Sequence, residues 1–153
     1  MMNNSEGILF NLLAEVGKPI ADFIKEYLPQ VDVFWWSNCI VRKLQDYQIS
    51  RVKPGELHRL DIGTLLTALN RNFDTLSELA GLKRETKFYI KETQCMRNKL
   101  AHWKPGDVLT DSDFARDLDT LYRLCSEINA DSHLLEKLAQ LRHDVILKIY
   151  LEI

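Results

Sequence analysis

Three side chains in one short run, Arg97, Asn98 and His102, are of the types needed to cleave RNA without a metal ion. In that reaction the ribose 2′-hydroxyl loses a proton and attacks the adjacent phosphorus, and the 5′-oxygen leaves. Histidine titrates near neutral pH and can accept or donate the proton, whereas arginine stays charged and can bind two phosphate oxygens. Asparagine can orient the imidazole or hold an oxygen. These three residues are therefore the candidate catalytic residues.

The spacing of these residues raises a geometric question. On a regular helix Asn98 and His102 lie about 40° apart, but Arg97 and His102 lie about 140° apart. One chain would place Arg97 and His102 poorly around a single phosphate, and a frayed last turn or a second subunit could bring such groups together. A purely structural interpretation competes, because the helix dipole alone favours arginine and histidine near a helix C-terminus.

The elements that must position the motif are helical almost throughout. Apolar residues recur at i, i+3 and i+4, and no alternating run is long enough for a strand, which predicts an all-α helical bundle with short accessory helices in one domain over residues 1–153. Before the motif we expect a helix interrupted at Gly17 and Pro19 and ending near Pro29, then a helix capped by Asp32 and reaching Tyr47, and then a loop over 50–60. Two short helices are expected between Asp61 and Gly81, followed by a motif helix from about Arg84 to Ala101. Two long helices come last, the first capped by Thr110 or Asp111 and the second by Asp131.

Apolar side chains give further expectations about burial. The motif helix is expected to turn Phe88, Tyr89, Cys95, Met96 and Leu100 inward. The last helix is expected to turn Leu134, Leu138, Leu141, Val145 and Ile149 inward. Its final segment, 145–151, is apolar nearly all round, which predicts burial on several sides, in the core, against a partner subunit or beside further sequence. At least one of the adjacent Trp35 and Trp36 is expected in the core.

Basic residues concentrate around the motif. Between Lys83 and Lys104 there are seven lysines and arginines and only two acids, whereas the rest of the chain is acidic. The candidate RNA-binding residues in this stretch are Lys83, Arg84, Lys87, Lys91, Lys99 and Lys104. Such a stretch can attract a phosphate backbone, although a solvated helix face balanced by acids elsewhere explains the charge equally simply.

Composition excludes several classes of protein. No apolar run is long enough to cross a bilayer and the N-terminus lacks a signal-peptide pattern, so a cytoplasmic protein without membrane association is expected. The three cysteines, Cys39, Cys95 and Cys125, form no C-x-x-C pair and are expected to be buried thiols. The other histidines lack partners at metal-ligand spacing and are expected at the surface or at caps: His58, His133 and His143. Neither a metal site nor a cofactor is expected.

The motif and its surroundings resemble a known domain family. The run Arg97-Asn98-x-x-x-His102 is similar to the Arg-x(4–6)-His signature of HEPN domains, including the polar residue after the arginine. An aspartate-led leucine helix from Asp61 and a helix from Phe73 precede the motif, and the run Thr110-Asp111-Ser112-Asp113 opens a long helix after it. This order resembles the HEPN subgroup first noticed in a nuclear messenger-RNA surveillance endoribonuclease and common in bacterial defence proteins. The similarity extends roughly over residues 32–128.

The resemblance implies a specific function. HEPN domains are helical bundles, usually dimeric, in which the motifs of two subunits face each other and form one metal-independent endoribonuclease site. Carried over by position, Arg97 would bind and stabilise the scissile phosphate, His102 would be the general acid or base, and Asn98 would support them. The resemblance therefore implies a homodimer that acts on RNA in a defence, toxin or RNA-decay setting.

One departure from the family pattern and one alternative function stand beside this expectation. HEPN toxins controlled by a nucleotidyltransferase antitoxin often have a tyrosine two residues after the histidine, and here that position is Lys104. The departure puts regulation of that kind in doubt, while an antitoxin or a larger protein remains a possible partner. The alternative function is a non-catalytic helical RNA-binding or protein-interaction domain, accessory to a larger protein.

Overall fold

Helices account for the regular structure of this chain. The computed structural model describes residues 4–44 and 52–152, and within these ranges there is no strand. The α-helices of these ranges are α1 (Asn4–Val31), α2 (Ile62–Arg71), α3 (Phe73–Ala80), α4 (Thr86–Ala101), α5 (Asp111–Glu127) and α6 (Ser132–Leu151). Short π- and 3-10-helical turns lie at Trp36–Ile40, Val41–Lys43 and Leu57–Arg59. The all-α fold expected from the periodicity is confirmed.

Side-chain caps fix where the helices around the motif begin. The carboxylates of Asp61 and Asp131 and the hydroxyl of Thr110 each accept a hydrogen bond from the backbone three residues ahead, at 2.8, 2.9 and 3.1 Å. Each bond satisfies one of the amide groups that a helix leaves unpaired at its start. Thr110, and not Asp111, is therefore the cap of α5. Gly81 ends α3 with a φ of 70°, a left-handed conformation that glycine adopts without strain.

Helix α1 differs from the expectation. The predicted interruption at Gly17 and Pro19 is wrong, because α1 is continuous from Asn4 to Val31 with Pro19 and Pro29 inside it. A proline inside a helix costs about 3 kcal/mol. The apolar stripe of α1, including Val16, Ile20 and Ile24, is fully buried, and burial of such side chains stabilises by about 1.5–3 kcal/mol each. Packing therefore outweighs the local preference.

The prediction of a regular α-helix after Asp32 is also wrong. The Asp32 carboxylate accepts bonds from the Phe34 amide at 2.8 Å and from the Asn38 side-chain amide at 2.6 Å. The segment that follows consists of the π and 3-10 turns and not of a regular α-helix. Trp35 and Trp36 are both half-buried, with ring centroids 5.7 Å apart, so neither is fully in the core. The prediction for Tyr47 lies outside the described residues.

The residues before α2 combine turn and loop. The expected loop over 50–60 contains the 3-10 turn Leu57–Arg59, in which Leu57 is buried, and positions 50 and 51 lie outside the described residues. The carboxyl end of this turn leads directly into the Asp61 cap. The chain is therefore held close to α1 immediately before α2 begins.

Helix α4 lies between α2 and α5, while α1 contacts α2 and α5, and α6 packs mainly on α5. Ile90, Met96 and Leu100 of α4 are buried in the core. The expected inward position is wrong for Phe88 and Cys95, which are exposed because they lie on the side of α4 opposite that core contact. The motif helix is thus held along two of its sides and open on the others.

The cysteines and the end of α6 require two further corrections. Only Cys125 is a fully buried thiol, and burial raises its pKa to about 12, whereas Cys39 is half-buried and Cys95 is exposed. In α6 Leu134 and Leu138 are buried as expected. The side chains expected further along that face are only half-buried: Leu141, Val145 and Ile149.

The apolar end of α6 does not lie deep in the core of this chain, as one alternative required. Four large side chains there are exposed: Ile146, Leu147, Tyr150 and Leu151. The reason is that α5 is the principal neighbour of α6 and covers only one side of it. None of the described helices is both long and apolar enough to span a membrane.

Candidate functional site

The motif lies at the carboxyl end of α4, and this end is regular. The His102 amide donates to the Asn98 carbonyl at 3.1 Å, which is the bond that continues an α-helix. The last turn is therefore not frayed, and the separation of about 140° between Arg97 and His102 stands. Asn98 and His102 lie on one exposed face of α4, while Arg97 lies toward α2.

Arg97 has its place because Gly63 has no side chain. The guanidinium lies directly against the backbone of α2, where a Cβ on Gly63 would be 2.8 Å from Nε and 2.9 Å from Cζ of Arg97. Nη2 of Arg97 is 3.8 Å from Oδ2 of Asp61, and Nη1 donates to Oδ1 of Asn98 at 3.3 Å. The Arg97 side chain keeps 36% of its surface exposed, so it is oriented but still open to a ligand.

Arg97 stands between two cavities. The larger one, of about 960 Å³, lies between α2 and α4 and is lined by polar side chains that include three cations, Arg59, Lys91 and Arg97, and one acid, Asp61. Asn98 also lines it. The smaller one, of about 600 Å³, lies on the α1 side of Arg97 and is mostly apolar. The balance of charge makes the larger cavity suited to a phosphate.

His102 lies apart from both cavities within one chain. It is the C-cap residue of α4 and is exposed, and it is absent from the lining of either cavity beside Arg97. The structure therefore brings together Arg97 and Asn98, whose side chains are hydrogen-bonded, but does not bring His102 to Arg97.

The six basic residues predicted to bind RNA do not form one patch. Lys91 lines the polar cavity beside Arg97. Lys83 and Arg84 precede α4 at the end away from the motif, and a helix of this length separates them from His102 by about 22 Å or more. The remaining three lie near other groups: Lys87 over the Phe73 ring with Nζ 5.7 Å from its centroid, Lys99 beside Asp117, and Lys104 at the Asp107 turn.

Reasoning from the sequence missed Arg59, the pairing of Asp61 with Arg97, and Gly63. Asp61 is identifiable from the sequence as a helix cap, but its contact with Arg97 joins two segments far apart in the chain. Glycine in the first turn of a leucine-rich helix was the available signal, since glycine is unfavourable there without a packing reason. His58, His133 and His143 lie at the surface as expected, and Nε2 of His58 is 2.7 Å from Oδ1 of Asp22.

Carboxylates close to α4 are engaged by other side chains. Glu92 accepts bonds from Thr120 at 2.6 Å and from Arg116 at 2.9 Å, and the bond from Thr120 is the main cause that lowers the pKa of Glu92. In the part of the chain that the structure describes, no three His, Cys, Asp or Glu side chains form a group that could hold a metal ion. Asp61, at 3.8 Å, is the acid that the structure pairs with Arg97.

Comparisons with curated proteins and with solved structures gave no significant match. A family model, Swt1-like HEPN, matches residues 10–129, from the second turn of α1 to the residues just after α5. This range is well over half of the chain and contains α2, α4 and the complete Arg97-to-His102 motif. The chain therefore belongs to the Swt1-like HEPN family.

Proposed function

We propose that this protein is a metal-independent endoribonuclease that acts as a homodimer. The observation that carries the proposal is the placement of Arg97, fixed on Gly63 between a cationic cavity and an apolar one, in a HEPN chain with its Arg-x4-His motif intact. Membership of the family supports a nuclease or RNA-binding role. The residue chemistry supports cleavage as the more specific form of that role.

In the proposed reaction Arg97 binds two non-bridging oxygens of the scissile phosphate. His102 removes the proton of the ribose 2′-hydroxyl or delivers a proton to the 5′-oxygen, and the other of these two proton transfers is made with water. The 2′-oxygen forms a bond to phosphorus as the bond to the 5′-oxygen breaks, which leaves a 2′,3′-cyclic phosphate and a 5′-hydroxyl. Arg97 offsets the negative charge that builds on the phosphate, and Asn98 keeps the guanidinium in its orientation.

The proposed dimer answers the separation found within one chain. A two-fold contact through the exposed face of α4 that carries Asn98 and His102 would set the motif of one chain against that of its partner. His102 of one subunit would then face the phosphate held by Arg97 of the other. The regular last turn of α4 supports this arrangement, since it leaves fraying as a poor alternative.

The proposed RNA path follows the cations closest to the motif. Arg59 and Lys91 share the polar cavity with Arg97 and would contact the phosphates next to the scissile one. The other five cations, Lys83, Arg84, Lys87, Lys99 and Lys104, do not line that cavity and would steer RNA electrostatically, so cleavage should weaken as salt concentration rises.

The chemistry is tested by incubating labelled RNA with the pure protein, with and without EDTA, and by analysing the product ends. We expect cleavage that EDTA leaves unchanged, products with 2′,3′-cyclic phosphate and 5′-hydroxyl ends, and no cleavage of DNA. Products with 3′-hydroxyl and 5′-phosphate ends, or loss of cleavage with EDTA, would rule out this mechanism.

The residue roles are tested by His102→Ala and Arg97→Ala, with His143→Ala and Arg123→Ala as matched controls on exposed residues of α6 and α5. Each motif variant should abolish cleavage with little change in melting temperature, because His102 is exposed and the Arg97–Asp61 pair is a largely solvated one worth about 1 kcal/mol or less. Asn98→Ala should reduce cleavage less. Equal cleavage by all variants would show that the motif is not a site.

A second candidate is an RNA-binding domain without catalysis. It is favoured by one observation, that His102 lines neither of the two cavities beside Arg97. In that case Arg97→Ala would weaken RNA binding, whereas His102→Ala would change nothing. Such a result would favour the binding domain if neither the wild-type chain nor the variants cleave the RNA.

The proposed setting is defence, toxicity or RNA decay. Induced expression in a bacterial host is the direct test of that setting. The wild-type chain should slow growth and fragment cellular RNA, and His102→Ala should do neither. If cells that express the wild-type chain grow as fast as cells that express His102→Ala, the result would argue against a toxin.

A further inference from the structure

The apolar cavity beside Arg97 has no part in the proposed cleavage chemistry. Its volume is about 600 Å³, within the range of cavities that hold small organic ligands. Arg97, Leu60 and Asp61 line both this cavity and the polar one, so the guanidinium forms a shared wall. A molecule in the apolar cavity would therefore be adjacent to a phosphate bound at Arg97.

One wall of this cavity is a stripe of α1. Phe10, Leu13, Ala14 and Gly17 follow each other at the spacing of one helix face, and all four line the cavity. Phe10 is 54% exposed, so its ring does not pack into the core of this chain. An aromatic ring with an open face beside a phosphate site is the arrangement on which unpaired nucleobases stack.

The rim of the same cavity is polar. Lys18 and His58 line it, and both bind Asp22 of α1, with Nζ of Lys18 at 3.2 Å from Oδ2 and Nε2 of His58 at 2.7 Å from Oδ1. The hydrogen bond from His58 is the main cause that lowers the pKa of Asp22. These donors and acceptors can meet the hydrogen-bonding edge of a base while the apolar side chains of the cavity cover its face.

We propose that this cavity is a nucleobase subsite that holds the base next to the phosphate bound at Arg97, with Phe10 stacking on that base. The proposal rests on the proposed function in one respect, the binding of an RNA phosphate by Arg97. The cavity wall contains two cations, Arg97 and Lys18, and one acid, Asp61, and this excess of positive charge favours a base that carries a phosphate over an apolar peptide side chain. The subsite would choose which nucleotide flanks the cleaved bond.

The test compares two ligands that differ only in the base. Uridine or adenosine 3′,5′-bisphosphate and the base-free ribose 3′,5′-bisphosphate are titrated into the full chain by calorimetry. The wild-type protein should bind the nucleotide about tenfold more tightly than the base-free compound, as expected for one stacked base. Phe10→Ala should bind both equally, and Arg97→Ala should weaken both by the same factor.

Two further variants keep this test decisive. Ala14→Trp, which narrows the cavity from α1, should also remove the preference for the base, while Phe34→Ala, the loss of an even more exposed ring outside the cavity lining, should retain it. Equal binding of both ligands by the wild-type chain would overturn the subsite even if RNA is cleaved. A preference that depends on Phe10 would support the subsite even if RNA is not cleaved. A Phe10→Ala chain that becomes monomeric and keeps the preference would identify the cavity as a protein interface, against the proposal.

Discussion

At the scale of single residues, the position of Arg97 depends on the residue opposite it having no side chain. A guanidinium that lies directly against the backbone of α2 loses less freedom when it binds a phosphate than one that moves in solvent. Gly63 is therefore a positioning residue, while Arg97 is the group that contacts the substrate in the proposed reaction.

Substituting alanine for Gly63 should separate activity from stability. The new Cβ would lie 2.8 Å from Nε of Arg97, and the flexible guanidinium would move away at little cost. Alanine also favours the helix over glycine by up to about 1 kcal/mol. We expect RNA cleavage to fall about tenfold or more, with equal or slightly higher stability in urea. Gly7→Ala, in α1 with nothing within 4 Å of its Cβ, is the matched control and should leave cleavage unchanged.

Asp61 combines two roles that substitution can distinguish. It caps α2 through the Thr64 amide at 2.8 Å and pairs with Arg97 at 3.8 Å. Asp61→Asn keeps a capping oxygen and removes the charge, so stability should hold while RNA binding tightens by up to about fivefold. Asp61→Ala should lose about 1 kcal/mol of stability as well. Binding measured by anisotropy and unfolding measured in urea distinguish the two variants, and weaker RNA binding by Asp61→Asn would contradict the assignment.

Thiol labelling gives a readout of the site that needs no catalysis. Cys95 is exposed and lines the polar cavity, whereas Cys125 is buried and its pKa is raised to about 12. We expect an alkylating reagent to modify Cys95 first and Cys125 only on unfolding, because the thiolate is the reactive form. RNA should slow modification of Cys95 in the His102→Ala background. Unchanged labelling of Cys95 at saturating RNA would place the RNA elsewhere.

How much of the site could be predicted from the sequence differs from residue to residue. Arg97, Asn98 and His102 were identifiable because their types and spacing carry chemistry within six consecutive positions. Arg59 and Gly63 were not, because their relation to Arg97 arises only when α2 packs on α4. Pairings between distant segments depend on packing, and a single sequence contains no periodic signal for them.

At the scale of helices, local rules succeeded at the caps and failed where burial dominated. Asp61, Thr110 and Asp131 cap their helices as the capping preference predicts. The break expected at Pro19 is absent, because the stripe of α1 gains more from burial than the proline costs. Long-range packing thus decides the continuity of α1, which supplies a wall of the apolar cavity.

The contact of α4 with α5 should make stability depend on pH. Burial is the main cause that raises the pKa of Asp117 on α5 from 3.8 to about 6, against the attraction of Lys99. The folded chain therefore holds this proton to a higher pH than the unfolded chain. The contribution of Asp117 to stability accordingly falls as the pH rises from about 4 to 6, and stays low above that. A shift of this size corresponds to about 3 kcal/mol, which solvent screening at a half-buried site reduces to about 1–2 kcal/mol.

Asp117→Asn measures this effect directly. At pH 7 the variant should be more stable than the wild-type chain by about 1–2 kcal/mol in urea unfolding, and the difference should vanish near pH 4. Asp144→Asn removes a carboxylate from the exposed face of α6 and is the matched control for the change of charge. If the difference in stability between Asp117→Asn and the wild-type chain is constant from pH 4 to pH 8, the titration of Asp117 does not cause it.

For the molecule as a whole, the part that matches the family ends just after α5. The family match ends at residue 129, and α6 lies beyond it, packed mainly on α5 with an exposed apolar end. The motif and all residues that line its two cavities lie inside the matched range. The all-α fold followed from the periodicity. The proposed dimer depends on a contact between copies, for which the periodicity of one chain contains no signal.

Mixing two inactive variants tests whether two subunits share one site. Arg97→Ala and His102→Ala proteins should each be inactive alone, and light scattering should find each to be a dimer. In an equal mixture after subunit exchange, half of the dimers are mixed and contain one intact Arg97 facing one intact His102 across the two-fold axis. Cleavage should then return to between about a quarter and a half of the wild-type rate. A mixture that stays inactive although differently tagged subunits co-purify would place Arg97 and His102 in the same chain's site and refute the shared one.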